Sequence, residues 1–428
     1  MKILWLVNII MPELAERLGQ KPSVFGGWLS GAMDAVRNSG HSLTIVTNKE
    51  QSKNAGVYDV NGIRYYITSA TNDASMRTAF REILTVEKPD IVHLYGTEFT
   101  QTWAMAQETD PNRTLVSVQG LVSYCAIHAY GGVPERICRD TCLHRILRKL
   151  NKGGTSIELQ RQSFIARSDS EIKTLSRVNY VNGGTAWGDG CTKLIQPEVQ
   201  LLQCGLILRE SFYGPECWRY DECEKHSLFT LYSYPIKGFD MFLKALKYVV
   251  QQYPDTKVYV AGSRCLYRDY HGIKKRILDL APDYDWYIQG LIEKYKLKNH
   301  LVFCGYLSEQ QVRERNLKAN VFVSASAIDN HSTMLGEAMI SGTPSIASCV
   351  GGMQEMIDHG KDGFLYPFNE PYMMAYYISR LFEDRTLAEQ FSVLGREHAA
   401  RTFNKEINTQ NLLKMYDTID QNAKEARS

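Results

Sequence analysis

Within "SAIDNHSTMLGEAMISGTPSIASCVGG", residues 326–352, Asp329 and Glu337 stand eight positions apart across the start of a helix. The strand-like "VFVSAS" runs into the loop "AIDNHS"; Ser332 then makes a good N-cap for "TMLGEAMIS", and Gly342-Thr343-Pro344 a strong stop. N–H groups of Thr333, Met334 and Leu335 would point out of the helix start, and with its partial positive charge they form an anion site. Asp329 precedes the helix and Glu337 lies one turn into it, so the two carboxylates reach opposite ends of an elongated ligand that passes the terminus. Carboxylates accept pairs of hydroxyl hydrogen bonds well. The arrangement suits a ligand with a diol at each end and a diphosphate between them, the chemistry of a nucleoside diphosphate sugar.

The elements that must hold these residues are short apolar runs alternating with amphipathic stretches. "ILWLV", "LTIVT", "DIVHL", "LVSV" and "VNYV" recur in the first half, and "KVYVAG", "LVFCG", "VFVSAS" and "PSIAS" in the second. Strands with little polar alternation, each followed by a helix, indicate parallel sheets covered on both faces. The expectation is an α/β protein of two doubly wound, Rossmann-like domains facing a cleft. Ligands of such sheets lie beyond the carboxyl ends of the strands. "GGWLSGAMDAVRNSG" predicts a first helix entered through Gly26-Gly27, a pair that serves either close approach of backbone to a ligand or a plain tight turn. A second predicted helix, after "YPIKG", carries Phe239, Phe242, Leu243, Leu246, Val249 and Val250 on one face. Ser308 and Gln311 have capping-box spacing.

The chain of 428 residues exceeds one average domain. The polar stretch 208–226 marks the junction, giving an acceptor-binding domain over 1–207 and a nucleotide-sugar domain over 208–405. A net charge of +2 supplies no global field for nucleic acid. "MKILWLVNII" reads as a first strand rather than a secretory signal, and no run approaches the roughly 20 apolar residues of a membrane span. A cytoplasmic protein is expected. The ten cysteines show no disulfide framework, and Cys138, Cys142 and His144 lack Cys-x-x-Cys spacing, so no metal site is expected.

Together, Asp329, Glu337, Gly342-Thr343-Pro344 and Gly351-Gly352-Met353-Gln354-Glu355 resemble the pattern of retaining glycosyltransferases with the GT-B fold, of the large family 4, or group 1, type. The likeness extends to the Gly26-Gly27 loop, "PDIVHLYG", "YPIKG" and the terminal "FNKEINTQNLLKMYDTI", whose helix, 406–428, would cross back onto the first domain. The resemblance implies that Glu337 holds ribose hydroxyls, Asp329 the transferred sugar and Lys237 the departing diphosphate, with Gly27 offering backbone. A cation beside the leaving oxygen stabilises charge that grows as the glycosidic bond breaks. The implied donor is a UDP- or GDP-sugar used as substrate, with no cofactor and no metal. The implied acceptor is a glycan or lipid-linked glycan of a surface polysaccharide such as a capsule.

Departures from the pattern are specific. Tyr232 stands where the family commonly has an arginine, and Arg264 in "VAGSR" is a candidate replacement for that contact. Asp329 is one methylene shorter than the usual glutamate, and His331 could fill part of the space. Gln119 replaces the family's first-domain histidine, so a hydrogen bond to a sugar hydroxyl remains available but a change of charge does not. His93, in "DIVHL", is the other first-domain candidate for contact with acceptor or sugar. Residues 135–152 hold six Lys or Arg with Ile146, Leu147 and Leu150 on an apolar side, and either contact an anionic membrane surface at the inner face or form a solvated helix face. Asp283-x-Asp285 offers a two-acid metal motif too short to outweigh a loop role. The competing function is a nucleotide-sugar-binding protein of the same fold that has lost transfer. A dinucleotide oxidoreductase is disfavoured because no Gly-x-Gly-x-x-Gly follows the first strand.

Overall fold

The computed structural model describes residues 1–21, 26–150, 155–262 and 280–426. The chain forms two compact units, one of residues 1–123, 166–210 and 402–428, the other of residues 124–165 and 211–401.

The first unit is built on β1 (Lys2–Val7), β2 (Ser42–Asn48), β3 (Gly56–Val60), β4 (Ile63–Thr68), β5 (Ile91–Tyr95), β6 (Thr114–Ser117), β7 (Tyr180–Asn182) and β8 (Gln200–Leu201). Their order is β3-β4-β2-β1-β5-β6-β7-β8, parallel except for the β3–β4 hairpin. β1 and β5 are almost wholly buried, which explains their unbroken apolar runs. Helix Trp28–Arg37 packs Leu29, Met33 and Val36 onto this sheet beside Leu412, Met415, Tyr416 and Ile419 of the last helix, Lys405–Glu425.

In the second unit β9 (Glu224–Tyr232), β10 (Lys257–Gly262), β11 (Leu301–Gly305), β12 (Ala319–Ser324), β13 (Ser345–Ser348) and β14 (Phe364–Tyr366) lie in the order β11-β10-β9-β12-β13-β14, all parallel. Helix Phe239–Gln252 buries the apolar face read from its sequence. The Ser308–Gln311 capping box starts helix Glu309–Lys318, both reciprocal bonds being present.

The expectation of one continuous first block over 1–207 does not hold for residues 124–165. Val133, Cys138 and Ile157 enter the apolar core of the second unit. Gly131, at φ +55°, lets the backbone meet the Pro235 carbonyl closely, and Lys244 Nζ donates to the Gly132 carbonyl at 2.8 Å while pairing with Asp240 at 2.9 Å. No side chain would fit at either glycine without collision, so the docking is written in the Gly131-Gly132 pair.

Candidate functional site

Chain direction reverses at one place in the second sheet. From β9 the chain proceeds outward to β10 and β11, then returns to place β12 on the other side of β9. Loops leaving the carboxyl ends of β9 and β12 therefore diverge and open a crevice between them. Lys237 follows β9, and Asp329 follows β12.

Three loops meet there. Gly238 has φ +67°, and a Cβ on it would strike the Ala325 carbonyl; Ala327 N–H donates to the Ile236 carbonyl at 2.6 Å. Gly351, at φ +50°, would collide with the Asp329 carbonyl if it bore a side chain, and Gly352 N–H donates to that carbonyl at 3.1 Å. The glycines of "YPIKG" and "VGG" thus exist to bring backbone against backbone around Asp329. A small cavity lined by Lys237, Ser326, Asp329, Ser332 and Met334 lies in the crevice.

Within it Lys237 Nζ donates to Asp329 Oδ2 at 2.7 Å, and Ser326 Oγ donates to the same oxygen at 3.2 Å. Burial alone would lower the lysine's proton affinity; attraction to Asp329 outweighs it and holds the ammonium charged. His331 is driven the other way, down to about 4, by loss of water, with Asp329 opposing, so its imidazole is neutral at pH 7.

Helix Thr333–Ile340 begins as the sequence predicts, with Ser332 Oγ accepting from Leu335 N–H at 3.3 Å. That cap corrects one expectation: Leu335 N–H is engaged and its side chain is fully buried, leaving Thr333 and Met334 to offer N–H groups to an anion. Glu337 is on the same helix and only 1 % exposed, and it does not line the cavity that Lys237 and Asp329 share.

Other expectations resolve differently. His93 is not an acceptor or sugar contact: it is fully buried, with Nδ1 2.8 Å from the Tyr416 hydroxyl and Nε2 2.8 Å from Ser117 Oγ. Burial lowers it to about 3, so it is a neutral strut between the sheet and the last helix. Gln119 lies beyond the end of β6, its Oε1 3.5 Å from Asn8 Nδ2. Gly27 caps helix Trp28–Arg37 and packs against Arg209, whose Cδ a Cβ at Gly27 would meet at 2.6 Å. Arg209, in the polar junction stretch, is thus a cation beside the glycine loop, and the missing side chain of Gly27 is the local feature of the sequence that makes room for it. Arg264 lies outside the described residues.

Tyr232 does not enter the crevice. It is fully buried among Phe239, Tyr284 and Phe303, and its hydroxyl donates to Asp285. Asp283 caps helix Tyr284–Lys294 by accepting from Trp286 N–H at 2.8 Å, so both acids of Asp283-x-Asp285 have structural duties. Cys138 is buried, and His144 bonds Thr141 Oγ1 and the Pro282 carbonyl rather than sharing a ligand with the cysteines. Among the described residues no cysteine forms a disulfide.

Residues 227–398, which span the second sheet and this crevice, match the family model described as glycosyl transferases group 1. YtcC of Bacillus subtilis strain 168, a protein provisionally assigned as a glycosyltransferase, is 27% identical over 184 residues, 42% of each chain. The chain therefore spans about half or less of the length of the curated relatives it matches. The fold likeness covers nearly everything: sucrose-phosphate synthase from Thermosynechococcus elongatus superposes with TM-score 0.69 at 16% identity over 98% of this chain and 99% of that one. HepE of Anabaena, solved with UDP and glucose, gives 0.64 at 12% identity over 98% and 100%. The fold is that of the GT-B glycosyltransferases, two parallel-sheet α/β domains, and the likeness to the group 1 family model is confined to residues 227–398.

Proposed function

We propose that the protein is a retaining, metal-independent glycosyltransferase that moves a sugar from a UDP- or GDP-sugar to a glycan or lipid-linked glycan acceptor in surface-polysaccharide synthesis. The observation that carries the reading is the Lys237–Asp329 pair, 2.7 Å apart, beside the N–H groups of Thr333 and Met334 at the reversal point of the second sheet. Cleavage of the bond between the anomeric carbon and phosphate leaves negative charge on the phosphate oxygen. A permanently charged lysine and a helix start are placed to stabilise that charge. As the diphosphate engages Lys237, Asp329 is released to accept a sugar hydroxyl. The acceptor oxygen bonds the anomeric carbon on the face the diphosphate leaves, and the acceptor's proton passes to the departing phosphate oxygen. No second carboxyl at glycosidase spacing is needed.

The exposed Ile146 and Leu150, flanked by the exposed Arg145 and Lys149, support peripheral contact of residues 135–152 with an anionic leaflet on the cytoplasmic side. Among the described residues no helix is long and apolar enough to cross a membrane.

The test is release of nucleoside diphosphate from a panel of UDP- and GDP-sugars, assayed in excess chelator with detergent-solubilised glycolipid as acceptor. Lys237→Ala should keep the fold and lose about 10²- to 10³-fold in turnover, the scale of one lost oxyanion donor. Turnover undiminished by the substitution would remove Lys237 from the chemistry.

A further inference from the structure

The first sheet has a reversal point of its own. The chain leaves β1 toward β2 and later sets β5 on β1's opposite side, so the loops after β1 and β5 part there. Asn8 follows β1, Glu98 follows β5 and Gln119 follows β6. We propose that Glu98 and Gln119, with Asn8 behind them, form a binding site for a vicinal diol of a sugar, the hydroxyl-bearing end of the acceptor. This rests on the glycosyltransferase reading above.

Glu98 Oε2 and Gln119 Nε2 are both buried, and neither has a hydrogen-bond partner in the protein. Both groups lie against Gly96, where a Cβ would collide with Glu98 Oε2 and stand 3.3 Å from Gln119 Cδ. Gly96, at φ +83°, is thus what lets a carboxyl and an amide share this corner. Gln119 Oε1 is positioned by Asn8 Nδ2 at 3.5 Å, and Asn8 in turn by Lys49 Nζ, which donates to its carbonyl at 2.7 Å.

The fold can satisfy a buried carboxylate nearby. Glu171 accepts from Thr97 Oγ1 at 2.7 Å, from the N–H groups of Val122 and Ser123 at 2.9 Å each, and from Ser123 Oγ at 2.6 Å. Against that neighbour, the unserved acceptor of Glu98 and unserved donor of Gln119 form a complementary pair. Buried polar atoms in folded proteins nearly always have a partner, whether in the protein, in ordered water or in a ligand. Adjacent sugar hydroxyls supply what each lacks, one donating to Oε2 and the other accepting from Nε2. Burial lifts Glu98 to about 7, with the backbone N–H of Glu98 opposing, Glu171 adding to the rise, and Arg167 and the N–H of Gly120 opposing it.

The experiment uses the full chain and a panel of methyl and p-nitrophenyl α- and β-hexosides as probes, observed by saturation-transfer NMR at pH 8, with UDP and GDP binding followed by calorimetry. We expect at least one hexoside to bind the wild type and to weaken tenfold or more in both Glu98→Gln and Gln119→Met, while nucleotide affinity stays unchanged. No hexoside binding to the wild type, or equal binding by both variants, overturns the site. Hexoside binding that depends on Glu98 and Gln119 in a protein that binds neither UDP nor GDP would instead overturn the donor reading and leave this site standing.

Discussion

Replacing Glu98 by Gln keeps the shape of the side chain while removing its titration. In the folded protein the carboxyl ionises near 7 rather than at its ordinary 4.5, chiefly because burial disfavours the charge. The folded state therefore holds a proton between pH 4.5 and about 7 that the unfolded chain has released, and stability falls as pH rises through that window. Above pH 7 both states are ionised and the loss levels off at about 3 kcal/mol, while near pH 5 it is under about 1 kcal/mol. Glu98→Gln escapes this loss. Its advantage over wild type should grow between pH 5 and pH 8 by about 2 kcal/mol, which for a unit of roughly 200 residues is about 4–8 °C in Tm. Charged neighbours do not cancel the effect, since Glu171 adds to the rise and Arg167 only opposes it in part. Thermal unfolding of both proteins at pH 5, 6, 7 and 8 measures the trend. A Tm difference independent of pH, or one that favours wild type increasingly as pH rises, would refute the assignment of a near-neutral carboxyl to Glu98. A gain in stability on losing this residue also fits a side chain kept for binding rather than folding.

Gly238→Ala should destabilise the second unit by about 2–4 kcal/mol, because a positive φ is combined with collision against the Ala325 carbonyl. Gly360→Ala, at φ +77° in open space, should cost only about 1–2 kcal/mol, and equal losses of Tm in the two variants would contradict the tight packing described around Lys237. Asp329→Glu should change which donor sugar is turned over fastest while leaving free UDP or GDP affinity within about twofold; an unaltered sugar ranking across the donor panel would take Asp329 off the sugar.

Much of this architecture is legible in the chain because it depends on local pattern. Unbroken apolar runs identify strands buried on both faces, and the face carrying Phe242, Leu246 and Val249 identifies the helix after Lys237. Ser332 and the Ser308–Gln311 pair announce helix starts through bonds spanning three residues. What escaped depends on contacts distant in sequence. The docking of residues 124–165 is set by Gly131 against Pro235 and Gly132 against Lys244, about a hundred positions apart. His93 becomes a strut only because Tyr416, 323 residues on, returns to it. The Tyr232 hydroxyl meets Asp285 across 53 residues, which converts a missing cation and a short acidic motif into one core hydrogen bond. Leu335 differs from expectation for a local reason: the same Ser332 that marks the helix start also engages one of the helix's first N–H groups. Glu98 gave no signal at all, since its importance lies in what fails to bond it.

The most direct test of the donor site is calorimetric titration of the purified protein with UDP- and GDP-sugars, each with and without magnesium, in wild type and Glu337→Gln. Glu337 is buried on the helix whose start borders the cavity, and a hydrogen bond from a ribose hydroxyl to an ionised carboxylate is worth about 1.5–3 kcal/mol. The account predicts that one donor binds independently of magnesium and loses about 10- to 100-fold in affinity in the variant. A donor that binds equally well to Glu337→Gln, or only when magnesium is present, would contradict it.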